Sequence, residues 1–375
     1  MKKILSLIFV LAMVFSVAAC GEKTTKPTTT TTTTTTAPVK PTLPNVDAQT
    51  LPAEGKLRLG MGIVVSFGST KATNGQIDAT VVTTVINHEG KIVAARLDAV
   101  QNVATIGEAI TVKKLEKTKM ELGNDYGMAG KVDNNGDGVK LEWFEQAKAY
   151  ETYLVGKTLN DVKAFDLQYV NNHWISTDDA LLGAGCSIQV SDFNLATLYA
   201  LTDAQGFEFD AVENFTLGLA ATSFNDGSTA ATDSENGTLK LYTDFAASVV
   251  VGGKIVATLN DAIQPSIVFD VEGEIIETKY TNTKRVLKEG YNMAAYGQSM
   301  DWNGDGIVKE WYLQSEAFSK YVVGKTAEEV ANMPTQVVEG SGYVISSEAD
   351  LLAAGCTIQI TAIKAVVAKS VNNAR

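Results

Sequence analysis

Histidine is almost missing from this chain. Only His88 and His173 occur in 375 residues, and neither has a counterpart in the other half of the sequence. His88 lies in the turn Asn87-His88-Glu89-Gly90, so imidazole-based zinc sites and catalytic triads are set aside and both histidines read as solvated loop residues. Cysteine is nearly as scarce: Cys20, Cys186 and Cys356 are all there are. Cys186 and Cys356 stand one per copy in a repeated sequence. No disulfide can therefore close within a copy, and a bridge between copies would need the same internal position of two cores to meet. Each reads as a small buried residue beside a backbone turn, with a reactive thiol as the alternative. Positive charge is also short, with 31 Lys and Arg against 43 Asp and Glu, a net charge of -12. That balance argues against a nucleic-acid partner, and it sets the domain faces against anionic lipid head groups. Attachment to a membrane should then run through an anchor.

The sequence supplies one. Lys2 and Lys3, the apolar stretch Ile4 to Phe15, and Val17-Ala18-Ala19-Cys20 form the charged, hydrophobic and small-residue parts of a signal peptide. The last four residues resemble a bacterial lipobox, which implies lipidation of Cys20; two acyl chains are enough for stable anchoring. From residue 21 to 50 the chain is rich in Thr, Pro and Lys, with an unbroken run Thr28 to Thr36 and the prolines Pro27, Pro38, Pro41 and Pro44. Such a segment cannot bury enough surface to offset its ordering entropy and reads as a disordered stalk. A lipid anchor followed by a stalk places the protein on the outer face of the cytoplasmic membrane, extending toward a Gram-positive cell wall.

Beyond the stalk one pattern is written twice. Gly90-Lys91-Ile92-Val93-Ala94 returns as Gly253-Lys254-Ile255-Val256-Ala257, and Tyr153-Leu154-Val155-Gly156-Lys157-Thr158 as Tyr321-Val322-Val323-Gly324-Lys325-Thr326. Ala184-Gly185-Cys186-Ser187-Ile188-Gln189-Val190 returns as Ala354-Gly355-Cys356-Thr357-Ile358-Gln359-Ile360. The period far exceeds a solenoid unit, so two tandem homologous domains are expected, 51–205 and 206–375, each long enough for its own core. In each, strand-like runs precede helical ones. Leu57 to Phe67, Gln76 to Ile86 and Lys91 to Val100 read as an antiparallel meander, repeated by Thr238 to Phe245, Ser248 to Val251 and Lys254 to Ala262. Trp143, Ala147, Tyr150 and Leu154 fall at helical spacing, as do Trp311, Ser315, Phe318 and Val322, with Gly156 and Gly324 as terminal caps. A short strand is expected around Ser187 to Val190 and Thr357 to Ile360, before a last amphipathic stretch. The fold class is α+β.

Three motifs bear on chemistry. Gly156-Lys157-Thr158 and Gly324-Lys325-Thr326 look like the tail of a phosphate loop, but Glu151 and Ser319 occupy the position that needs glycine and a helix precedes, so they read as helix caps. Asp133-Asn134-Asn135-Gly136-Asp137-Gly138 and Asp301-Trp302-Asn303-Gly304-Asp305-Gly306 resemble the first half of an EF-hand loop. Asp133, Asn135 and Asp137, and Asp301, Asn303 and Asp305, supply oxygens at positions one, three and five, with glycine at six for the sharp turn. The glutamate expected at position twelve is replaced by Phe144 and Tyr312, with Glu142, Glu310 and Glu145 as nearby substitutes. Calcium and a metal-free Asx turn both remain open.

The third motif is the turn at Gly185-Cys186-Ser187 and Gly355-Cys356-Thr357. With the Gly-Lys-Ile turn, the Thr-bearing connection and the aromatic segment ending in Gly-Lys, each copy resembles the FMN-binding domain of extracytoplasmic electron-transfer proteins. That family includes the flavin subunits of sodium-pumping quinone reductases and flavinylated surface lipoproteins. The resemblance implies an FMN phosphate at Thr357 and, more weakly, Ser187, with Gly355 and Gly185 letting the backbone approach. This chain has cysteine where the family has alanine, and alanine where it has Ser or Thr before the glycine. The function implied is noncatalytic electron carriage between a donor and an acceptor protein, the cofactor supplying the redox chemistry. The alternative is a cofactor-free surface binding or structural lipoprotein stabilised by calcium. No nucleophile and base recur together in both copies.

Overall fold

Glycine sets the closest contacts of the fold. On β1 (Lys56–Ser66), a Cβ added at Gly60 or Gly62 would lie 2.1 Å from the backbone oxygen of Ala200 or Ala196 in α5 (Ser191–Leu201). On β8 (Thr216–Asn225), a Cβ at Gly218 would lie 1.8 Å from the oxygen of Ser370 in α10 (Thr361–Asn372). Each half thus lays its final helix directly on a strand backbone, which only glycine allows. These relations come from a computed structural model that describes residues 39–46, 48–115, 117–295 and 301–375. The signal peptide, Cys20 and the Thr run lie outside the described residues. Of the expected disordered linker, 39–46 and 48–50 are described, and residues of the first stretch lie against the body. Leu43 and Val46 pack on the core, and Lys40 pairs with Asp166.

The first half runs β1, β2 (Asn74–Ile86), β3 (Ile92–Thr105) and β4 (Thr111–Lys114), then α1 (Lys119–Leu122), α2 (Trp143–Leu154), α3 (Leu159–Ala164), the hairpin β5 (Leu167–Val170) and β6 (His173–Ser176), α4 (Asp179–Gly183) and α5. After β7 (Phe207–Asp210) the same order returns as β8, β9 (Gly237–Val251), β10 (Lys254–Ile263), β11 (Ser266–Phe269) and β12 (Ile275–Lys279). It continues as α6 (Lys284–Leu287), α7 (Trp311–Tyr321), α8 (Ala327–Ala331), β13 (Thr335–Val337), β14 (Val344–Ser346), α9 (Ala349–Ala353) and α10. Antiparallel sheets with helices make the chain α+β.

The first strand of the second half is β8, upstream of the runs the sequence marks as strands. Thr238 to Phe245 and Ser248 to Val251 are one continuous β9, paired on one side with β8 and on the other with β10 and β11. β7, assigned by sequence to the second copy, pairs with β1 and completes the first sheet. No strand forms at 187–190 or 357–360; these residues turn directly into α5 and α10.

Alternation along the strands explains the layering. On β2, Val82 and Ile86 face the first half's helices, whereas Ala79, Val81 and Val85 face a core shared with the second half. On β9, Ala246 and Val250 face the second half's helices, while Phe245, Ala247 and Val249 join the shared core. Each half therefore has a core of its own, and a third core lies between the two sheets. A further shared cluster joins Ile77 and Ile106 to Leu239, Ile267 and Phe269. Residues 39–375 form one compact unit. Polar links cross between halves as well: Arg285 meets Asp203 at 3.1 Å, and Arg375 meets the buried Glu151 at 2.8 Å.

The repeated anchors meet in space. Gly156 N–H donates to the Ile92 carbonyl (2.8 Å) and Ile92 N–H to the Lys157 carbonyl (2.9 Å). Gly324, Ile255 and Lys325 repeat the pair of bonds at 2.8 and 2.9 Å. Gly156 and Gly324 have φ of +85° and +83°, and Thr158 and Thr326 cap α3 and α8 through capping boxes with Asp161 and Glu329. The Gly-Lys-Thr segments are thus links from a helix end to a β-turn and on to the next helix.

Candidate functional site

In each half, two of the sequence motifs come together at a buried glutamine. Gln146 lies on α2, three residues after Trp143, and Gln314 lies on α7, three after Trp311. Their amide oxygens accept from the backbone N–H of Ser187 (2.8 Å) and Thr357 (2.7 Å). Their amide nitrogens donate to the carbonyls of Leu141 (3.0 Å) and Lys309 (2.7 Å), which lie just beyond the Asp/Asn loops. One side chain therefore ties the hydroxyl turn to the loop's exit, in the same way in both halves. The sequence signal is Trp-x-x-Gln, present in both copies, whose uncharged amide carries no chemical motif.

The turn itself is closed. Ser187 and Thr357 are each 1 % exposed. Gly185 (φ +84°) and Gly355 (φ +76°) do have the conformation that glycine supports, but the space beside them is filled. A Cβ on Gly185 would stand 2.6 Å from Leu141 Cδ1, and one on Gly355 2.9 Å from Lys309 Cε. In the first half, Asn134 also donates through Nδ2 to the Ser187 carbonyl (2.7 Å). As folded, Ser187 and Thr357 therefore do not offer room for an FMN phosphate. Cys186 and Cys356 are free and buried, and burial pushes both thiols up to about 12, so neither is a thiolate nucleophile at neutral pH.

The Asp/Asn loops have the geometry their sequence suggests. Asp133 accepts from the N–H groups of Gly136 (2.8 Å) and Gly138 (3.0 Å), and Asp137 from Val139 N–H (2.7 Å). Asp301 accepts from Asp305 N–H (3.1 Å) and Gly306 N–H (2.9 Å), and Asp305 from Ile307 N–H (2.7 Å). Asn135 Nδ2 donates to Asp137 (2.7 Å) and Asn303 Nδ2 to Asp305 (2.8 Å). The Oδ1 atoms of Asn135 and Asn303 are buried with no partner. An unmade hydrogen bond at a buried oxygen is costly, and here it occurs at loop position three in both halves.

The substitute acids have other work. Glu142 accepts from Met128 (3.0 Å) and Ala129 (2.9 Å), and Glu310 from Met293 (2.9 Å) and Ala294 (3.0 Å), each pair being backbone N–H groups. Burial opposes the charge on Glu142, but the N–H groups around it outweigh burial and hold its carboxyl below the usual range. Glu145 accepts from Glu142 N–H as part of a capping box. Among the described residues no group of three or more His, Cys, Asp or Glu is placed to hold a metal. Each loop carries two carboxylates and an amide oxygen at positions one, three and five.

A second feature repeats in both halves. Lys119 lies over the rings of Tyr126 (5.1 Å) and Trp143 (5.5 Å), and Lys284 over Tyr291 (4.9 Å) and Trp311 (5.2 Å). These are cation–π boxes that fix the start of α2 and α7. Both histidines are exposed; His88 lies in the turn between β2 and β3 as expected, whereas His173 is the first residue of β6 and not a loop residue.

No family model, curated protein or solved structure matches the chain. No helix among the described residues is long and apolar enough to cross a membrane.

Proposed function

We propose that the protein is a lipid-anchored surface module, binding or structural rather than catalytic, whose two FMN-binding-like halves are stabilised by calcium at the Asp/Asn loops. The observation that carries this reading is the pair of buried, unpartnered Oδ1 atoms of Asn135 and Asn303 at matching loop positions. Asp133, Asn135 and Asp137 would hold one ion, and Asp301, Asn303 and Asp305 the other. The cation would neutralise two carboxylates per loop and give the amide oxygen a partner. Low ligand charge suits the weak affinities useful outside the cell, where calcium is plentiful.

The lipid anchor and the stand-off from the membrane rest on Lys2 to Cys20 and on the stalk. Flavin carriage is the second reading, favoured by the hydroxyls of Ser187 and Thr357, which follow positive-φ glycines just before α5 and α10. It would require the loops to lift. Thermal melting in millimolar calcium and in chelator, with the visible spectrum and intact mass of the same sample from its host membrane, separates the readings. Calcium should raise Tm by on the order of a few degrees, because a ligand bound to the folded state alone adds stability. A yellow protein with added FMN mass and no calcium response would instead establish the flavin carrier.

A further inference from the structure

We propose that each Asp/Asn loop is a cation-closed lid over the Gly-Cys-Ser/Thr turn of its own half, so that losing the cation loosens and uncovers that turn. The inference rests on the calcium reading above and adds a conformational consequence to it. In the first half the lid contact is direct. Asn134, which bonds the Ser187 carbonyl, sits between the ligands Asp133 and Asn135, so displacing either ligand displaces the contact. The loop's exit carries Val139 and Leu141 onto Gly185. In the second half Ile307 and Lys309 cover Gly355, and Lys309 Nζ donates to the Ala354 carbonyl at 2.7 Å. Trp302, at the position of Asn134, stacks on Tyr343 with ring centroids 5.0 Å apart and planes at 19°.

Gly136, Asp137 and Gly138 are exposed, as are Gly304, Asp305 and Gly306. The bonds that the loop carboxylates make are largely to the loop's own amides. Without a cation, two like charges share a five-residue span, which weakens the closed form. The turns beneath are held by backbone bonds of their own, from Gly185 and Cys186 to Leu182 and Leu181 and from Gly355 and Cys356 to Leu352 and Leu351, and by Gln146 and Gln314, which also bond the lid's exit. Opening the lid therefore also weakens the grip on Ser187 and Thr357.

Hydrogen–deuterium exchange of the full chain, resolved by peptide, tests this in calcium and in chelator, with thermal melting of the same samples. Chelation should speed exchange of the peptides covering 184–190 and 354–360 by on the order of tenfold while those of β2 and β9 stay unchanged, as for local opening below the global unfolding free energy. A Tm response to calcium with no change at either turn overturns the lid and leaves calcium binding intact. No response in either measurement overturns both. Asp133→Asn should release 184–190 in the presence of calcium and leave 354–360 protected. Release of both turns together, or of neither, contradicts a lid that acts within its own half. The β2 peptides show whether that variant is folded.

Discussion

At the residue scale, buried polar groups decide most. Gln146 and Gln314 are neither charged nor nucleophilic, yet each satisfies a buried N–H and a partly buried carbonyl at once. Gln314→Ala should cost about 2–4 kcal/mol in urea unfolding, since it strands the Thr357 N–H and the Lys309 carbonyl. Asp98 is a second case. Burial drives its carboxyl up to about 7 from an ordinary 3.8, against the opposing hydrogen bonds from Thr118 and from the N–H groups of Met120 and Ala99. Asp261 repeats the arrangement at about 6, with Arg285 and Thr283 in the opposing role. Because the folded values are raised, the folded chain binds protons more tightly than the unfolded chain. The associated stability is full below about 4 and is lost as pH rises through about 6 to 7. Tm should therefore fall from pH 5 to pH 8, and Asp98→Asn should flatten that dependence; a variant with the slope of the parent would remove Asp98 from the account.

At the scale of elements, the sequence was most legible where one periodicity ruled. The helical spacing of Trp143, Ala147, Tyr150 and Leu154 yields α2 with all four buried, and the Gly-Lys-Thr motif is a helix cap as its preceding helix implied. β9 was misread as two strands because Ala246 and Ala247 interrupt the β-branched pattern; pairing on both sides carries the strand through them. The strand expected at 187–190 fails for a related reason. Its apolar residues Ile188 and Val190 are buried beside a helix start, not along a ladder. Helix-to-strand contact gives the sharpest element-level prediction. Gly218→Ala would place a methyl group 1.8 Å from the Ser370 oxygen, pushing α10 off β8. It should destabilise by about 1–3 kcal/mol or more, read as a lower urea midpoint, whereas Gly136→Ala, where nothing lies within 4 Å, should cost only the strain of φ +75°.

At the scale of the whole molecule, the repeat hides a merger. The sequence suggested that each copy would bury its own core, and each does, but Phe245, Ala247 and Val249 also pack with Ala79, Val81 and Val85. Period-two alternation leaves both faces of β2 and β9 apolar, which a single-copy reading assigns to strands buried inside one domain. Cooperative unfolding follows from the shared core and from the buried Arg285 and Asp203 pair. Calorimetry should show one transition, and Asp203→Ala should lower its midpoint strongly, since breaking a buried pair costs about 3–5 kcal/mol. Two separate transitions would mean that the halves fold alone. Calorimetric titration of the full chain with calcium should find two sites of modest affinity, one of them abolished by Asp137→Ala and the other by Asp305→Ala. A chain that takes up no calcium at extracellular concentrations would contradict the account.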